Sequence, residues 1–229
     1  VPRKGDDMDT YFAPAQRTER RKFKNQIATI SENPIMDSLL KTAGGLLVVL
    51  NEDRQIVALN HAFLKELGVK DIKAVLGFRL GESLHCVHAD KKPNGCGTTE
   101  YCPSCGAAIA MMAAIEKNQT SELTCALSTS KNGQPNDISL LIKAVPLTLD
   151  ESRWILIYAQ DITQQHFWAN LERVFFHDIN NVLTSVYGNI QLMDRMLPKT
   201  DEIQAVQAGI ERIIREVQLQ KTFSQKKQE

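Results

Sequence analysis

The sequence predicts an α+β protein, in which an antiparallel five-stranded sheet domain is followed by an antiparallel two-helix hairpin that forms a four-helix bundle in a homodimer. Three observations predict this fold class. Short apolar segments separated by turn residues are typical of strands and recur through residues 39–163. One long stretch without proline follows, and its apolar residues recur every three or four positions. A second stretch with the same period comes after Pro198.

Charge is balanced over the chain, with 27 Lys and Arg residues against 27 Asp and Glu residues. No excess of either sign is left to attract nucleic acid or an anionic membrane, so neither is expected as a partner. No apolar run approaches the roughly 18 to 20 residues that cross a bilayer, and we expect a cytoplasmic protein without membrane contact in this chain. The chain begins with Val1 rather than Met, so a membrane anchor outside it stays open.

The first 38 residues lead into the sheet domain. Residues 1–14 are polar and contain two prolines and a glycine, so we expect a flexible leader. Residues 15–38 are assigned to an N-terminal helix, which has Phe23, Ile27 and Ile30 on one side and whose regular part ends before Pro34. Two roles stay open for this helix: it pairs with its copy in a dimer, or it covers an edge of the next domain.

Residues 39–163 are predicted to form the sheet domain. Two strands separated by a polar turn at residues 51–54 precede a short helix, which Asn60 caps and Gly68 ends. A helical middle region then leads to three further strands with turn signals between them. These three segments span residues 121–128, 138–147 and 153–162.

A loop over residues 85–106 holds four of the five cysteines. Nine, five and two residues separate them, and the intervening Gly and Pro residues allow the tight turns that fold a loop around one ion. The last two cysteines open an Ala-rich helix, whose N-terminal dipole favours the thiolate form that soft metals bind. These candidate metal ligands are Cys86, Cys96, Cys102 and Cys105.

The residue pattern leaves the nature of this centre open. Four thiols at these spacings fit a Zn²⁺ site, an iron–sulfur cluster, a reversible thiol/disulfide switch or unreactive thiols. A covalent c-type haem is not expected, because Gly106 stands where that motif needs His. His85 and His88 flank Cys86 without being assigned as ligands, and Cys125 is interpreted as isolated on a strand.

A long amphipathic helix is predicted over residues 164–197, and it carries a histidine on its polar side. His177 lies opposite the apolar stripe, so its imidazole is directed toward water. A neutral imidazole is a nucleophile near neutral pH, while Asp178 could orient it and Asn180 and Asn181 share its face. The stripe consists of Phe167, Leu171, Phe175, Ile179, Val182, Val186, Ile190, Met193 and Leu197.

A second helix is predicted after the turn at Pro198, with Thr200 or Asp201 as its cap. The resulting hairpin over residues 164–225 has a single apolar seam on each helix. Each copy therefore needs a second copy, and a homodimeric four-helix bundle is expected. Residues 226–229 form a polar tail. The apolar positions of the second helix are Ile203, Val206, Ile210, Ile213 and Val217.

The order of elements over residues 39–163 resembles a PAS domain. The triplet Asp161-Ile162-Thr163, where the last strand passes into the long helix, resembles the common exit signal of that family. The resemblance implies a sensor domain. It also places the cysteine loop where many members of the family hold a ligand or cofactor.

The pattern His177, Asp178 and Asn181 resembles the phosphoacceptor helix of two-component sensor histidine kinases. In that resemblance His177 accepts the γ-phosphoryl of ATP, Asp178 assists as base and Asn181 supports transfer. Many members carry Pro after the Asn, whereas this chain has Val182, so the subfamily stays open. The implied partners are a homodimer, a response regulator, and ATP with Mg²⁺ on an ATP-binding kinase domain that is not in the chain and acts in cis or in trans.

The expected function is therefore the sensor and phosphoacceptor portion of a histidine kinase, controlled by a cysteine-ligated metal or redox centre. On its own the chain is expected to be inactive, because phosphoryl transfer needs a positioned nucleotide. One alternative is a phosphotransfer or regulatory protein without a kinase domain of its own. Another is a metal- or redox-sensing interaction module in which His177 is incidental.

Overall fold

The computed structural model describes residues 10–131, 134–196 and 201–226 of the chain. It contains two compact units, Val1–Thr163 and Gln164–Glu229. Several sequence predictions fall outside the described residues: most of the leader, the centre of the turn at 131–137, the loop around Pro198 and most of the polar tail.

The first unit is built on five antiparallel strands, in the order β2-β1-β5-β4-β3. The predicted α+β class with a five-stranded antiparallel sheet is confirmed. The strands are longer than predicted in the β3–β4 hairpin, since pairing extends to Lys131 and Gln134. Their bounds are β1 Leu46–Leu50, β2 Ile56–Leu59, β3 Ser121–Lys131, β4 Gln134–Leu149 and β5 Ser152–Asp161.

Helices lie on both faces of this sheet. The short helix after β2 has the predicted cap: the Asn60 side chain accepts a hydrogen bond from Phe63 N at 3.0 Å, and Gly68 ends it in the left-handed conformation. The helices of the first unit are α1 Arg20–Ser31, α2 Pro34–Thr42, α3 His61–Leu67, α4 Leu80–Ser83 and α5 Gly106–Lys117, with short 3₁₀ turns between α3 and α5.

The N-terminal helix differs from the prediction over residues 15–38. It begins only at Arg20, and Pro34 starts a second helix. Proline suits the first helical position because its missing N–H would have no intrahelical partner. The Asn33 side chain caps α2 by accepting hydrogen bonds from the N–H groups of its first turn.

The apolar side of α1 packs on the sheet, which is the second of the two roles left open for it. Ile30 is buried, and Phe23 and Ile27 pack beside it. The two faces of the sheet carry separate cores, since α1 and α2 cover one and α3, α4 and α5 cover the other. The second core contains the cysteine loop. Buried residues on the α1–α2 face are Ile30, Met36, Val49, Val57, Ala58 and Trp154.

The second unit contains α6 Thr163–Met196 and α7 Asp201–Lys226. Tyr187 Oη of α6 donates a hydrogen bond to Glu211 Oε1 of α7 at 3.1 Å, so the two helices are in contact. Partly or fully buried apolar residues on α6 step by three or four positions, as do those on α7. The buried and partly buried positions of this inner seam are Phe176, Ile179, Leu183, Tyr187 and Ile190 on α6, with Ile210, Ile214 and Val217 on α7.

No helix in the described ranges is both long and apolar enough to cross a membrane.

A further apolar stripe of α6 remains exposed next to that inner seam. It includes much of the predicted stripe, and α7 also has exposed apolar positions. The single apolar stripe predicted for this helix thus consists of two stripes, an inner seam and an exposed one, on adjacent sides of the helix. The exposed residues are Phe167, Leu171, Val174, Phe175, Val182, Val186 and Met193 on α6, with Val206, Ile213 and Leu219 on α7.

Candidate functional site

A cavity of about 160 Å³ lies between α4, α5, the cysteine loop and strands β3 and β4. All five cysteines of the chain line it. The four cysteines predicted to act together are thus brought around one space, and Cys125 joins them. Most of the remaining lining is apolar and includes Leu80, Leu84, Met111, Leu127, Leu140 and Ile142.

Cys86 and Cys96 both lie next to Gly81, at the start of α4. A Cβ atom at position 81 would be 2.7 Å from Cys96 Sγ and 3.4 Å from Cys86 Cβ. Glycine is therefore required there, because a larger side chain would displace one of the two cysteines. The loop is also held to α4 by Glu82, whose Oε1 accepts a hydrogen bond from Cys96 N at 3.2 Å.

Cys102 sits in a 3₁₀ turn that leads into α5. Its Sγ is 3.2 Å from Thr99 Oγ1, and both residues are buried. The turn closes with a hydrogen bond from Cys105 N to Cys102 O at 3.1 Å. This turn places Cys105 at the N-terminal cap of α5.

The interpretation of Cys125 as an isolated cysteine is wrong. Cys125 lies on β3 with its Sγ 3.6 Å from Cys105 Sγ. Gly106 makes this approach possible, because a Cβ atom there would collide with the carbonyl oxygen of Thr124. The start of α5 therefore rests directly on the backbone of β3, and the two thiols meet.

The thiols around the cavity differ in acidity. The hydrogen bond from Cys125 lowers the pKa of Cys105 well below the usual thiol range, and the N–H groups of Ala108 and Ala107 lower it further. The same hydrogen bond raises the pKa of Cys125, and burial adds to the rise. Burial raises the pKa of Cys96 to about 12 and also raises the pKa of Cys86. Cys105 is thus the thiol most readily ionised among these four.

As they stand, the cysteines are spread around the cavity. Within the described ranges, no three His, Cys, Asp or Glu side chains are close enough to hold one metal ion. His88 lines the same cavity, and its buried Nδ1 has no hydrogen-bond partner in the described part of the chain. Its ring stacks on Tyr101 with the ring centroids 3.9 Å apart. His85, by contrast, is exposed and does not line this cavity.

Arg79 holds the loop before Cys96 in place, and it was not among the site residues predicted from the sequence. The residue is 0% exposed, and its guanidinium donates to the carbonyl oxygens of Asn94 at 3.0 Å and Cys96 at 3.2 Å. Burial lowers the pKa of Arg79 to about 10. In the sequence, the position of Arg79 between the apolar residues Phe78 and Leu80 is the one sign that its side chain is buried. Its other acceptors are the carbonyl oxygens of Asp53, Pro14, Ala15 and Gln16.

The second candidate site surrounds His177 on α6. The side chain of His177 is 72% exposed, as predicted from its position opposite the apolar stripe. Its Nδ1 lies 3.1 Å from Asp178 Oδ1 and 3.3 Å from Asn181 Nδ2. Of the two asparagines that share its face, Asn181 is the one whose side chain contacts the ring in the described part of the chain.

This arrangement determines which ring nitrogen can react. When Nδ1 carries the proton and donates it to Asp178, the lone pair is on Nε2. No hydrogen bond to Nε2 is formed within the part of the chain that the structure describes. The geometry therefore provides an oriented imidazole with an accessible nucleophilic nitrogen.

The triplet Asp161-Ile162-Thr163 joins β5 to α6. Asp161 Oδ1 accepts a hydrogen bond from Thr163 N at 2.8 Å. Two hydrogen bonds tie the junction to β4: Ser139 N donates to Thr163 Oγ1 at 2.9 Å, and Ile162 N donates to Ser139 O at 2.8 Å. Ile162 and Thr163 are thus held to β4.

Among solved structures, several PAS domains are similar to this chain. The PAS domain of an HTR-like protein from Haloarcula marismortui has a TM-score of 0.38 and 16% identity, over 58% of this chain and 98% of that chain. The PAS domain of nitrogen regulation protein NR(II) from Vibrio parahaemolyticus has a TM-score of 0.39 and 12% identity, over 57% and 100%. A PAS domain from a two-component sensor histidine kinase has a TM-score of 0.37 and 10% identity, over 62% and 99%.

All three TM-scores are below 0.5, and the identities are 16% or lower. No protein-family model matches the chain, and no curated protein matches it. The three PAS domains named above align with 57% to 62% of this chain.

Proposed function

We propose that the chain is the sensor and phosphoacceptor portion of a two-component histidine kinase. In this proposal the first unit is a PAS-type sensor, and His177 accepts the γ-phosphoryl of ATP and passes it to an aspartate of a response regulator. The contact between His177 Nδ1 and Asp178 Oδ1 is the observation that supports it most. In the tautomer with the proton on Nδ1, this contact orients an exposed imidazole whose lone pair is on Nε2.

The proposed reaction is an in-line displacement at the γ-phosphorus. The lone pair on Nε2 of His177 attacks, a P–N bond forms, and the bond from phosphorus to the leaving oxygen of ADP breaks. The ring becomes cationic as it reacts, and the carboxylate of Asp178 stabilises that charge through Nδ1–H. In this proposal Asn181, whose Nδ2 lies 3.3 Å from Nδ1, supports the transfer. ATP and Mg²⁺ would be held by an ATP-binding domain acting in cis or in trans.

A homodimer is part of this proposal. The inner seam between α6 and α7 leaves an adjacent apolar stripe of α6 uncovered, with Phe175 at 56% and Val182 at 62% exposure. Apolar surface of this extent is costly in water, and a second hairpin would cover it in a four-helix bundle. His177 would remain outside such a bundle, because it lies on the opposite face of α6.

The thiol cavity is proposed as the sensory centre. Cys86, Cys96, Cys102 and Cys105 remain the candidate ligands for Zn²⁺ or an iron–sulfur cluster. For a single zinc ion they do not fit as they stand, since no three of them converge. Thiols spaced around a cavity fit an iron–sulfur cluster better, because its ligands bind different iron atoms. Such a cluster would supply a group whose oxidation state can change.

Elemental analysis and an absorption spectrum of anaerobically purified protein test the centre. Iron and sulfide with a broad visible absorption would support the cluster, and zinc in stoichiometric amount would support the single-ion site. A colourless, metal-free protein with free thiols would contradict both.

Radiolabelled ATP and the ATP-binding domain of a sensor histidine kinase test the phosphoacceptor. We expect acid-labile label on the wild type and on His166→Gln, but none on His177→Gln. His166 is a matched control because it is an exposed histidine of the same helix that Phe167 follows in place of an aspartate. Label that persists in His177→Gln would contradict the assignment and favour an interaction module.

A further inference from the structure

Cys105 and Cys125 form a thiol pair that the spacing of the cysteine loop does not indicate. Their sulfurs are 3.6 Å apart, and no other pair of cysteine sulfurs in the described part of the chain forms such a contact. The pair joins the cap of α5 to β3. Its formation depends on Gly106, since any side chain there would push α5 away from Thr124.

The two sulfurs have different environments. Cys105 is half-buried and stands at the N-terminal cap of α5, where the helix dipole favours a thiolate. Cys125 is only 2% exposed, and its Sγ lies 3.6 Å from Cys105 Sγ. Cys105 is thus arranged to act as the attacking sulfur, and Cys125 to act as the second thiol that resolves the product.

Both sulfurs face the same cavity of about 160 Å³. Its wall near the pair is apolar and includes Met111, Leu127 and Ile142. A small apolar oxidant fits this space and this lining better than a strongly hydrated one. The chemistry of the site therefore favours an organic hydroperoxide as the reacting species.

We propose that Cys105 and Cys125 form a reversible disulfide when the cavity admits an organic hydroperoxide. The Cys105 sulfur attacks the terminal oxygen, an S–O bond forms, the O–O bond breaks and the alcohol leaves with a proton. Cys125 then attacks the sulfur of this sulfenic acid, an S–S bond forms, the S–O bond breaks and water leaves with the thiol proton of Cys125. The two sulfurs lose two electrons in total, which reduce the hydroperoxide to alcohol and water.

Disulfide formation requires only a small movement. A disulfide has an S–S distance of about 2.05 Å, so the sulfurs must approach by about 1.5 Å. A dithiol would reverse the reaction by exchange. The disulfide forms only while Cys105 is not bound to a metal. It does not involve His177, so its failure to form would leave the phosphoacceptor proposal untouched.

Peptide mapping of the full chain tests this directly. The protein is stripped with a chelator and reduced with a phosphine, so that all five thiols are free. It is then treated with equimolar tert-butyl hydroperoxide, alkylated and digested without reduction. We expect a cross-linked peptide pair containing Cys105 and Cys125, which dithiothreitol separates. A disulfide between Cys102 and Cys105, or no disulfide at all, would overturn the proposal.

Two variants sharpen the result. In Cys125→Ala the sulfenic acid on Cys105 has no resolving partner, so we expect dimedone to trap it there. Cys102→Ser is the matched control, because it removes the other nearby cysteine and should leave the linkage to Cys125 intact. Loss of the linkage in Cys102→Ser, or dimedone on Cys125 instead of Cys105, would contradict the assigned roles. The wild-type map decides the proposal if a variant fails to fold.

Discussion

Cys125 and Asp161 stand in the same cross-strand row of the sheet, with Leu140 between them. Cys125 pairs with Leu140 across β3 and β4, and Leu140 pairs with Asp161 across β4 and β5. Neighbouring strands are about 4.8 Å apart, so the row spans roughly 10 Å. One end of the row borders the thiol cavity and the other begins the connection to α6. We expect a change at Cys125 to reach Asp161 through these two strand pairs.

The first prediction concerns this row. Oxidation of the Cys105–Cys125 pair should move β3 relative to β4. This movement should change the strength of the hydrogen bonds that join Ser139 to Ile162 and Thr163. We expect amide hydrogen exchange over residues 139–141 and 161–165 to change several-fold on oxidation, as measured by mass spectrometry. The same treatment of Cys125→Ala should leave those segments unchanged. Equal exchange in oxidised and reduced wild type would contradict coupling along the row.

Gly106→Ala should destabilise the first unit. The added methyl group would collide with the backbone of Thr124, and overpacking of this kind costs about 1–3 kcal/mol. The control is Gly188→Ala in α6, where a Cβ atom would meet nothing within 4 Å and where alanine should stabilise the helix by about 0.5–1 kcal/mol. Urea unfolding measures both. A neutral Gly106→Ala would show that α5 does not rest on β3.

The strands of the sheet could be predicted because their signals are local. Alternating apolar residues and turn sequences mark β3, β4 and β5, and Asn60 and Gly68 bracket α3 with ordinary caps. The prediction of one helix over residues 15–38 was wrong at Pro34, because a proline can either end one helix or begin the next. The prediction had Pro34 end a helix, whereas in the structure Pro34 begins α2 and Asn33 caps it.

The composition of the thiol site could be predicted only in part. Four cysteines in one loop signal a common site, but Cys125 lies 20 positions after Cys105 and on a strand. Its approach depends on how closely α5 packs on β3, which no spacing rule contains. The six carbonyl oxygens that Arg79 binds are likewise a property of the folded loops. The exposure of His177, by contrast, follows from the period of one helix.

Alkylation at different pH values should separate the thiols. Cys105 has a lowered pKa, so its thiolate is present at lower pH than that of an ordinary thiol. We expect iodoacetamide to modify Cys105 first as pH rises, whereas Cys96, with its pKa raised to about 12, should resist up to strongly alkaline pH. Cys125→Ala removes the hydrogen-bond donor and should move the Cys105 profile to higher pH. Modification of Cys96 before Cys105 would contradict this order.

The exposed stripe of α6 should mediate dimer formation. Val182→Glu would place a charge in the apolar interface of the bundle, which costs about 3 kcal/mol or more and so raises the Kd by at least roughly 100-fold. Sedimentation equilibrium should find a dimer for the wild type and a monomer for this variant. Thr184→Glu is the control, because Thr184 is exposed on the same face as His177, and it should remain a dimer. A wild type that sediments as a monomer at all concentrations would contradict the bundle.

The phosphoacceptor role of His177 is tested most directly with phosphoramidate, a small phosphoryl donor that requires no kinase domain. Acid-labile phosphate on each histidine is quantified by mass spectrometry at neutral pH. His177 should be labelled at least about tenfold faster than His166, and Asp178→Asn should remove most of that advantage, because an oriented imidazole gains about 10²-fold or more from its partner. Equal labelling of the two histidines, or full reactivity of His177 in Asp178→Asn, would contradict the account.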